Sequence, residues 1–263
     1  MSEPEKINQA ASLLEGCCSI LFITGAGISA DSGLPTYRGI GGLYDNQATE
    51  DGMSIETALS ASTLRTRPEL TWKYISQIEK KCRGAHFNRG HEIIAKMETH
   101  FERVWTLTQN VDGFHRAAGS RNVINIHGDI HQLICSNCSW KQRVIDFSGL
   151  SIPPLCPECQ ALIRPDVVFF GEMLPSHSLA MLSSQLEMGF DLTFSIGTTS
   201  VFPYIMQPVI LARQQGCPTI EINPGRTGIS DLVDIKINQG AAAALDAIWK
   251  RYQQFFRIEK SKF

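Results

Sequence analysis

No apolar run in this chain approaches the ~20 residues that a membrane-spanning helix needs. The polar opening MSEPEKINQA also lacks the basic-then-apolar pattern of a secretory leader. Charge of one sign is missing: 24 Lys and Arg stand against 26 Asp and Glu, a net of −2, which leaves no electrostatic footprint for nucleic acid. A disulfide framework is missing as well, since four of the eight cysteines fall in two C-x-x-C pairs, a metal pattern. These absences predict a reducing, cytoplasmic setting without membrane or nucleic-acid partners. What is present is ordinary for a globular protein: 43% hydrophobic and 19% charged residues in 263 positions. That length fits one large α/β domain, or one domain with an insertion.

The chain is organised around Ser19 to Arg38, SILFITGAGISADSGLPTYR. Ile20 to Ile23 read as a buried parallel strand. The run breaks at Thr24-Gly25-Ala26-Gly27, with a helix start expected at Ser29. Two glycines one residue apart permit a tight turn and a close approach of phosphate to bare N–H groups, the first half of a dinucleotide fingerprint. The third glycine of that fingerprint is replaced by Ala30, so a strand-to-helix turn without a ligand is an equally good reading of these residues alone. The glycine-rich stretch 39–42, running on to Tyr44, reads as a lid or as a long surface connection.

Periodicity predicts a helix over 4–16, mostly helical structure over 54–101 with a start at Pro68-Glu69, and a C-terminal helix through Trp249 and Phe255. Further strands are expected at Val104–Leu107, Val123–Ile126, Asp166–Glu172, Asp191–Ile196, Thr219–Asn223 and Asp234–Ile237. Ligands of open α/β sheets gather beyond the carboxyl ends of strands. The polar residues there are Gln109, Asn110 and Asp112, then His127, then Gly197-Thr198-Thr199-Ser200, then Asn223. Asn110 and Asp112 share a face in extended backbone, or form an Asx-turn before the next helix. His127, at a strand end before a glycine, is a candidate general base. His86, His91 and His100 lack ligand spacing and read as structural or surface residues. The run Asp166 to Glu172 reads as a core strand, or as an edge for an extended peptide.

The strongest local signal is Cys135-Ser-Asn-Cys138 followed, seventeen residues on, by Cys156-Pro-Glu-Cys159. Two such knuckles at this separation have zinc-ribbon spacing, and four thiolates close a tetrahedral shell with no open position. The metal is therefore expected to be structural. Cys17, Cys18, Cys82 and Cys217 have no such partners and read as plain thiols.

As an ordered set, GAGIS (25–29), SGLPTYR (32–38), TQNVDGFH (108–115), HG (127–128), the paired knuckles, VVFFGE (167–172), GTTSVFP (197–203) and EIN (221–223) resemble the sirtuin family, of a bacterial, single-domain type. The resemblance covers nearly the whole chain. It implies an α/β fold: a Rossmann-like parallel-sheet domain of 1–38, 102–134 and 163–263, a lid and helical module of 39–101, and an inserted zinc ribbon of 135–162. It implies NAD as a consumed co-substrate, zinc as a structural ion, and acylated lysines of proteins as partners of a monomer. Carried over by position, Gly25, Ala26, Gly27 and Ser29 would hold the pyrophosphate. Thr36, Tyr37 and Arg38 would lie at the diphosphate, lid and nicotinamide-leaving site. Gln109, Asn110 and Asp112 would surround the nicotinamide and its ribose, and Gly197, Thr198, Ser200, Asn223, Gly240 and Ala241 the adenosine half. Val168, Phe169, Phe170 and Gly171 would pair with the peptide on one side, and the Ser200–Pro203 segment, with Val201 and Phe202, on the other.

The implied reaction is deacylation, most readily of acetyl-lysine, giving nicotinamide and O-acyl-ADP-ribose. Its catalytic residues would be His127 as general base, with Asn110 and Asp112 at the departing nicotinamide. The alternative from the same cleft is a protein ADP-ribosyltransferase. A Rossmann dehydrogenase leaves the four cysteines without a role, and a non-catalytic zinc module leaves His127 and the polar strand ends without one. Sirtuins that prefer succinyl- or malonyl-lysine resemble one another in a Tyr-x-x-Arg pair that reads the distal carboxylate. Here the matching positions fall at about Ile75 and Ile78, and Tyr74 is followed three residues on by Gln77. Uncharged acyl groups are therefore the expected substrates.

Overall fold

The computed structural model describes residues 1–36 and 49–260, the side chains of 256–260 excepted, so Tyr37, Arg38 and the 39–44 loop lie outside the described residues. The chain opens with α1 (Glu3–Ser12), β1 (Ser19–Thr24) and α2 (Ala26–Ala30). A helical stretch follows: α3 (Ile55–Ala58), α4 (Ala61–Thr66), α5 (Pro68–Cys82) and α6 (Arg89–His100). Then come β2 (Arg103–Thr108), α7 (Phe114–Ala117), β3 (Val123–Asn125), β4 (Gly128–Cys135), β5 (Lys141–Arg143) and β6 (Ile163–Val167). The last third holds α8 (Ser176–Glu187), β7 (Leu192–Ile196), α9 (Pro203–Gln214), β8 (Thr219–Ile222), β9 (Ile235–Ile237) and α10 (Ala241–Lys260).

All six residues of β1 are buried, as a strand covered on both faces requires. Their side chains alternate between two cores. Ile20 and Phe22 pack with α1, α6 and α10, while Leu21 and Ile23 pack with α8 and α9. The parallel sheet runs β3-β2-β1-β7-β8-β9, so strand order reverses direction on either side of β1. That reversal is where α/β sheets open a crevice for ligands.

A second, antiparallel sheet, β5-β4-β6, stands apart from the first. It shares one apolar core with the helices inserted between β1 and β2: Trp72, Tyr74, Ile75 and Ile78 of α5 cluster with Leu133, Phe147, Ile163 and Val167. The Trp72 indole N–H donates to the carbonyl of Ile163 at 3.0 Å, which satisfies its one polar atom in a buried setting. Gly128 makes the crossing between sheets possible. It has φ +87°, and a Cβ there would lie 1.9 Å from the Asp166 carbonyl oxygen.

Two sequence expectations need correction. The first helix after β1 starts at Ala26 with Gly25 as its N-cap, and Ser29 lies inside it. Its turn is closed early because the Gly27 N–H donates to the Gly197 carbonyl at 2.8 Å. The run 166–172 is also not a single strand: β6 ends at Val167, and Phe170 makes one isolated bridge to Ser60. Glu172 accounts for the break, since its carboxylate accepts the Phe169 N–H at 2.9 Å and an Arg164 N–H at 2.5 Å, folding the segment back. The helices α8 and α9 and the strand β4 stand outside the elements that periodicity predicts. Pro208 inside α9, and the mixed polarity of β4, mask their periods.

Candidate active site

Parallel pairing holds the carboxyl ends of four strands level: Thr24 pairs with Thr108 and Ile196, and Ile196 with Ile222. Each following residue extends its neighbour's ladder. Gly25 N–H donates to Ile196, Gln109 to Thr24, Gly197 to Ile222 and Asn223 to Ile237, each at 3.0 Å. The site loops thus leave the sheet at one height, in an order set by strand register.

The glycines serve the contact between two of these loops. A Cβ on Gly27 would lie 2.5 Å from the Gly197 Cα, and one on Gly25 2.8 Å from the Gly197 carbonyl oxygen. Gly197 itself has φ +59°. Close approach of backbone to backbone, and not of phosphate alone, therefore fixes the residue type. Gly27→Ala is expected to lower stability by about 1–3 kcal/mol, the usual penalty of overpacking, since the clashing atom is main chain. Denaturant titration of the purified variant checks this, and an unchanged midpoint would contradict it.

Polar side chains tie the loops together. Asn110 Nδ2 donates to the Gly25 carbonyl and to Ser29 Oγ, both at 3.1 Å, and Ser29 Oγ donates to Asp112 Oδ2 at 2.7 Å. Asp112 Oδ1 accepts the Phe114 N–H at 2.9 Å, so one oxygen of this carboxylate makes the Asx-turn while the other holds Ser29. Burial pushes the Asp112 carboxyl above its usual range, partly offset by these two donors. Gln109 Nε2 donates to Thr198 Oγ1 at 2.7 Å, and Asn223 Nδ2 donates to the Thr198 carbonyl at 3.1 Å.

His127 sits between β3 and β4. Its Nδ1 lies 3.1 Å from the Gln109 carbonyl oxygen, which can only accept, so Nδ1 carries the proton. Nε2 is then a lone-pair acceptor, and the Tyr204 hydroxyl donates to it at 2.7 Å. Burial lowers the imidazole pKa, against a smaller opposing effect of the Gln109 carbonyl. The ring is neutral at pH 7, in the form a base needs.

A cavity of about 910 Å³ opens over the strand ends. Its wall takes in Gly25, Ala26, Gly27, Thr36, Gln109, Asn110, His127, Gly197, Thr198, Asn223 and Gly240. Val168, Phe169, Phe170, Gly171 and Phe202 line it as well. At another part of the same wall stand Leu59, Ile75, Ile78, Ile130 and Val167. A smaller cavity of about 300 Å³ shares Ala26, Ile78, Asn110, Val111 and Ile130 with the first and adds Ser29, Leu34, Pro35 and Asp112. Of the residues picked from sequence, Ser200, Val201 and Ala241 are on neither wall. Ser200 is fully buried, and its hydroxyl has no partner among the described residues. Tyr204, Asp31 and Ile130 also line the large cavity, though no motif in the sequence marks them for it. Tyr204 follows Pro203 at a helix start, a position that carried no chemical signal by itself.

Phe170 has both backbone groups engaged: its N–H donates to Leu59 at 3.0 Å and its carbonyl accepts from Ala61 at 2.9 Å. Among the described residues no donor reaches the Val168 carbonyl. His91 is buried against His115, ring centroids 4.9 Å apart, and burial lowers its pKa to about 4. It is a neutral packing residue, as its spacing suggested.

The four knuckle cysteines converge. Their sulfurs lie within 4.8 Å of one another, with Cys135–Cys159 at 3.4 Å and Cys138–Cys156 at 3.6 Å. Tetrahedral zinc with Zn–S of ~2.3 Å places sulfurs about 3.8 Å apart, so the cluster already has the right size. The N–H groups of Asn137 and Cys138 point at Cys135 Sγ, at 3.3 and 3.4 Å, an arrangement that favours a thiolate.

Comparison with known proteins gives one consistent result. A model of the Sir2 family matches residues 25–203. The chain is 46% identical over 241 residues to NAD-dependent protein deacylase 2 of Pseudomonas aeruginosa, covering 90% of this chain and 93% of that one. It is 49% identical over 237 residues to the protein of the same name from Pseudomonas syringae pv. tomato, covering 89% and 95%. Among solved structures, a Sir2 homolog–NAD complex superposes with TM-score 0.82 at 31% identity, covering 95% of this chain and 94% of that one. A mutant Sir2 homologue in complex with ADP ribose gives TM-score 0.86 at 29% identity, covering 95% and 97%.

Proposed function

The chain belongs to the Sir2 family, and on that premise we propose that its cleft removes acyl groups, chiefly acetyl, from protein lysines at the expense of NAD. The observation that carries the reading is His127: a neutral base with its acceptor nitrogen at the wall of a cavity whose sides are a glycine turn and an apolar channel. The residues fit the cofactor. A cavity of about 910 Å³ over strand ends lies within the ~300–1,000 Å³ usual for such sites. Asn110 Oδ1 accepts from no described residue and stands where the two cavities meet, which suits the N–H of a carboxamide.

NAD supplies the ribose carbon that takes the acyl oxygen, with nicotinamide as leaving group. Gly25, Ala26, Gly27, Thr198, Asn223 and Gly240 would hold its phosphates and adenosine half, and Ala26, Asn110 and Asp112 the carboxamide. The Val168 carbonyl and the Gly171 backbone would pair with the peptide main chain, which reads no side chain and tolerates many sequences. His127 would accept a proton from a ribose hydroxyl at Nε2, and the Gln109 carbonyl would stabilise the imidazolium so formed through Nδ1–H. Zinc would be held by Cys135, Cys138, Cys156 and Cys159, where it would tie the end of β4 to the loop that leads into β6 and serve the fold. We read 1–38, 102–134 and 163–263 as the NAD-binding body, with 39–101 and 135–162 as modules on it. No described helix is long and apolar enough to cross a membrane. Four thiolates persist as metal ligands only where they stay reduced, which favours the cytoplasm.

Mass spectrometry of an acyl-lysine peptide panel with NAD tests the function. The expected products are free lysine, nicotinamide and O-acyl-ADP-ribose, whereas ADP-ribosylated protein without deacylation would overturn the reading. The same panel tests the acyl class. Ile75 and Ile78 line the cavity beside Leu59, Ile130 and Phe169, and the guanidinium of Arg164, which lies over the Phe169 ring, is already paired with Glu172. A succinyl carboxylate would enter this channel unpaired, at a cost of several kcal/mol. Acetyl- and butyryl-lysine are expected to exceed succinyl-lysine in kcat/KM by at least about 100-fold, since each 1.36 kcal/mol is tenfold. A succinyl preference would show that a cation reaches the channel from elsewhere.

A further inference from the structure

The lone pair that the reaction needs is already occupied. His127 Nε2 lies 2.7 Å from the Tyr204 hydroxyl, and the tautomer forced by the Gln109 carbonyl makes that hydroxyl the donor. Tyr204 is held in place. It sits in the first turn of α9, its ring stacks on Phe202 with centroids 5.4 Å apart and planes at 14°, and His127 meets both rings edge-on. It also lines the large cavity, on the same wall as His127. Direct attack of Nε2 on a sugar proton would require breaking this bond and displacing the phenol O–H from its acceptor. A phenol, however, can donate to a neutral imidazole and accept from an imidazolium, so the contact can survive both states of the base.

We propose that Tyr204 is a relay and positioning residue standing between His127 and the sugar hydroxyl it serves, an inference that rests on the deacylase reading. The sugar O–H bond breaks as its proton bonds to Tyr204 Oη. The Tyr204 O–H bond breaks as its proton passes to His127 Nε2. The electron pair left on the sugar oxygen attacks the acyl carbon, whose C=N π pair moves onto the lysine nitrogen. One proton is thereby moved from sugar to imidazole, the tyrosine ends neutral with its hydroxyl re-formed, and no other reactant is consumed.

Tyr204→Phe keeps the stacked ring and removes only Oη. Displacement of nicotinamide by the acyl oxygen precedes the base step, so exchange of labelled nicotinamide into NAD, measured with an acetyl-lysine peptide, should stay within about twofold. Deacylation turnover should fall at least about tenfold, below the ~100-fold or more ascribed to a base itself, with KM for peptide and NAD little changed. Nitrogen NMR of the free, histidine-labelled protein gives an independent readout: the His127 Nε2 resonance should move in the variant while Nδ1–H stays. Exchange and deacylation falling by the same factor would reduce Tyr204 to a structural role and overturn the relay. Unchanged or faster deacylation, or an unmoved Nε2 resonance, would overturn it as well. A wild-type protein that performed neither reaction would instead overturn the deacylase reading, leaving the NMR result to decide the contact.

Discussion

Replacing His127 with alanine will cut deacylation at least ~100-fold while nicotinamide exchange persists, because only the later step calls for a base. The expectation rests on geometry before titration: Nδ1 is fixed on the Gln109 carbonyl at 3.1 Å, which leaves Nε2 as the accepting atom at the cavity wall. Burial, the larger influence, holds the imidazole pKa below its ordinary value. The neutral base thus predominates at pH 7 and is lost as pH falls through that lowered pKa, so the acid limb of the rate should lie below about 6.5. Folding should suffer less than catalysis, since the variant leaves the Gln109 carbonyl and the Tyr204 hydroxyl to find new partners, each a matter of about 1–3 kcal/mol. Near-normal turnover by the folded variant, measured by product release from an acetyl-lysine peptide, would remove His127 from the mechanism.

Removing the metal will have an effect of comparable size by a different route. None of the four cysteines lines either cavity, yet β4 and β6, which carry Cys135 and lead into Val168, are paired from Gly128–Val167 to Cys135–Ile163. The Val168 N–H donates to the His127 carbonyl at 3.0 Å, so the ribbon sheet and the base share one backbone bond. Closed thiolate sites contribute roughly 10–16 kcal/mol of metal-binding free energy to folding in small zinc modules. Cys135→Ser, or exhaustive chelation, should therefore release one zinc per chain, lower the melting temperature and abolish activity together. Metal analysis, thermal melting and the peptide assay check this on the same sample. Metal-free protein with its melting temperature and activity intact would show that the cysteines hold nothing that matters to the fold.

Strand ends were easy to read from sequence, and what lies between them was not. β1 is a near-continuous apolar run, while β2, β7 and β8 alternate apolar residues with Thr, Ser or Glu, and the boundaries of all four fall within one residue of expectation. The site followed from them, because polar residues just past such runs land at one height over the sheet. The 166–172 run misled because its Val and Phe residues have strand composition, while the bond from Phe169 to Glu172 that folds it back is tertiary detail. Ser200 looked like a ligand contact by its hydroxyl and sits buried, as its φ of +53° turns the chain inward. Tyr204 was overlooked for the opposite reason: nothing local marks a tyrosine whose partner, His127, is 77 positions earlier.

The shared core of the two insertions bears on how the chain is born. Trp72 emerges from the ribosome 91 residues before Ile163, whose carbonyl its indole will meet. Through that interval the apolar face of α5, with Tyr74, Ile75 and Ile78, has at most an incomplete sheet to lie on, since β6 is still missing. A nascent chain stalled between those points should expose it to chaperones, and should close it once β6 and the second knuckle have cleared the exit tunnel.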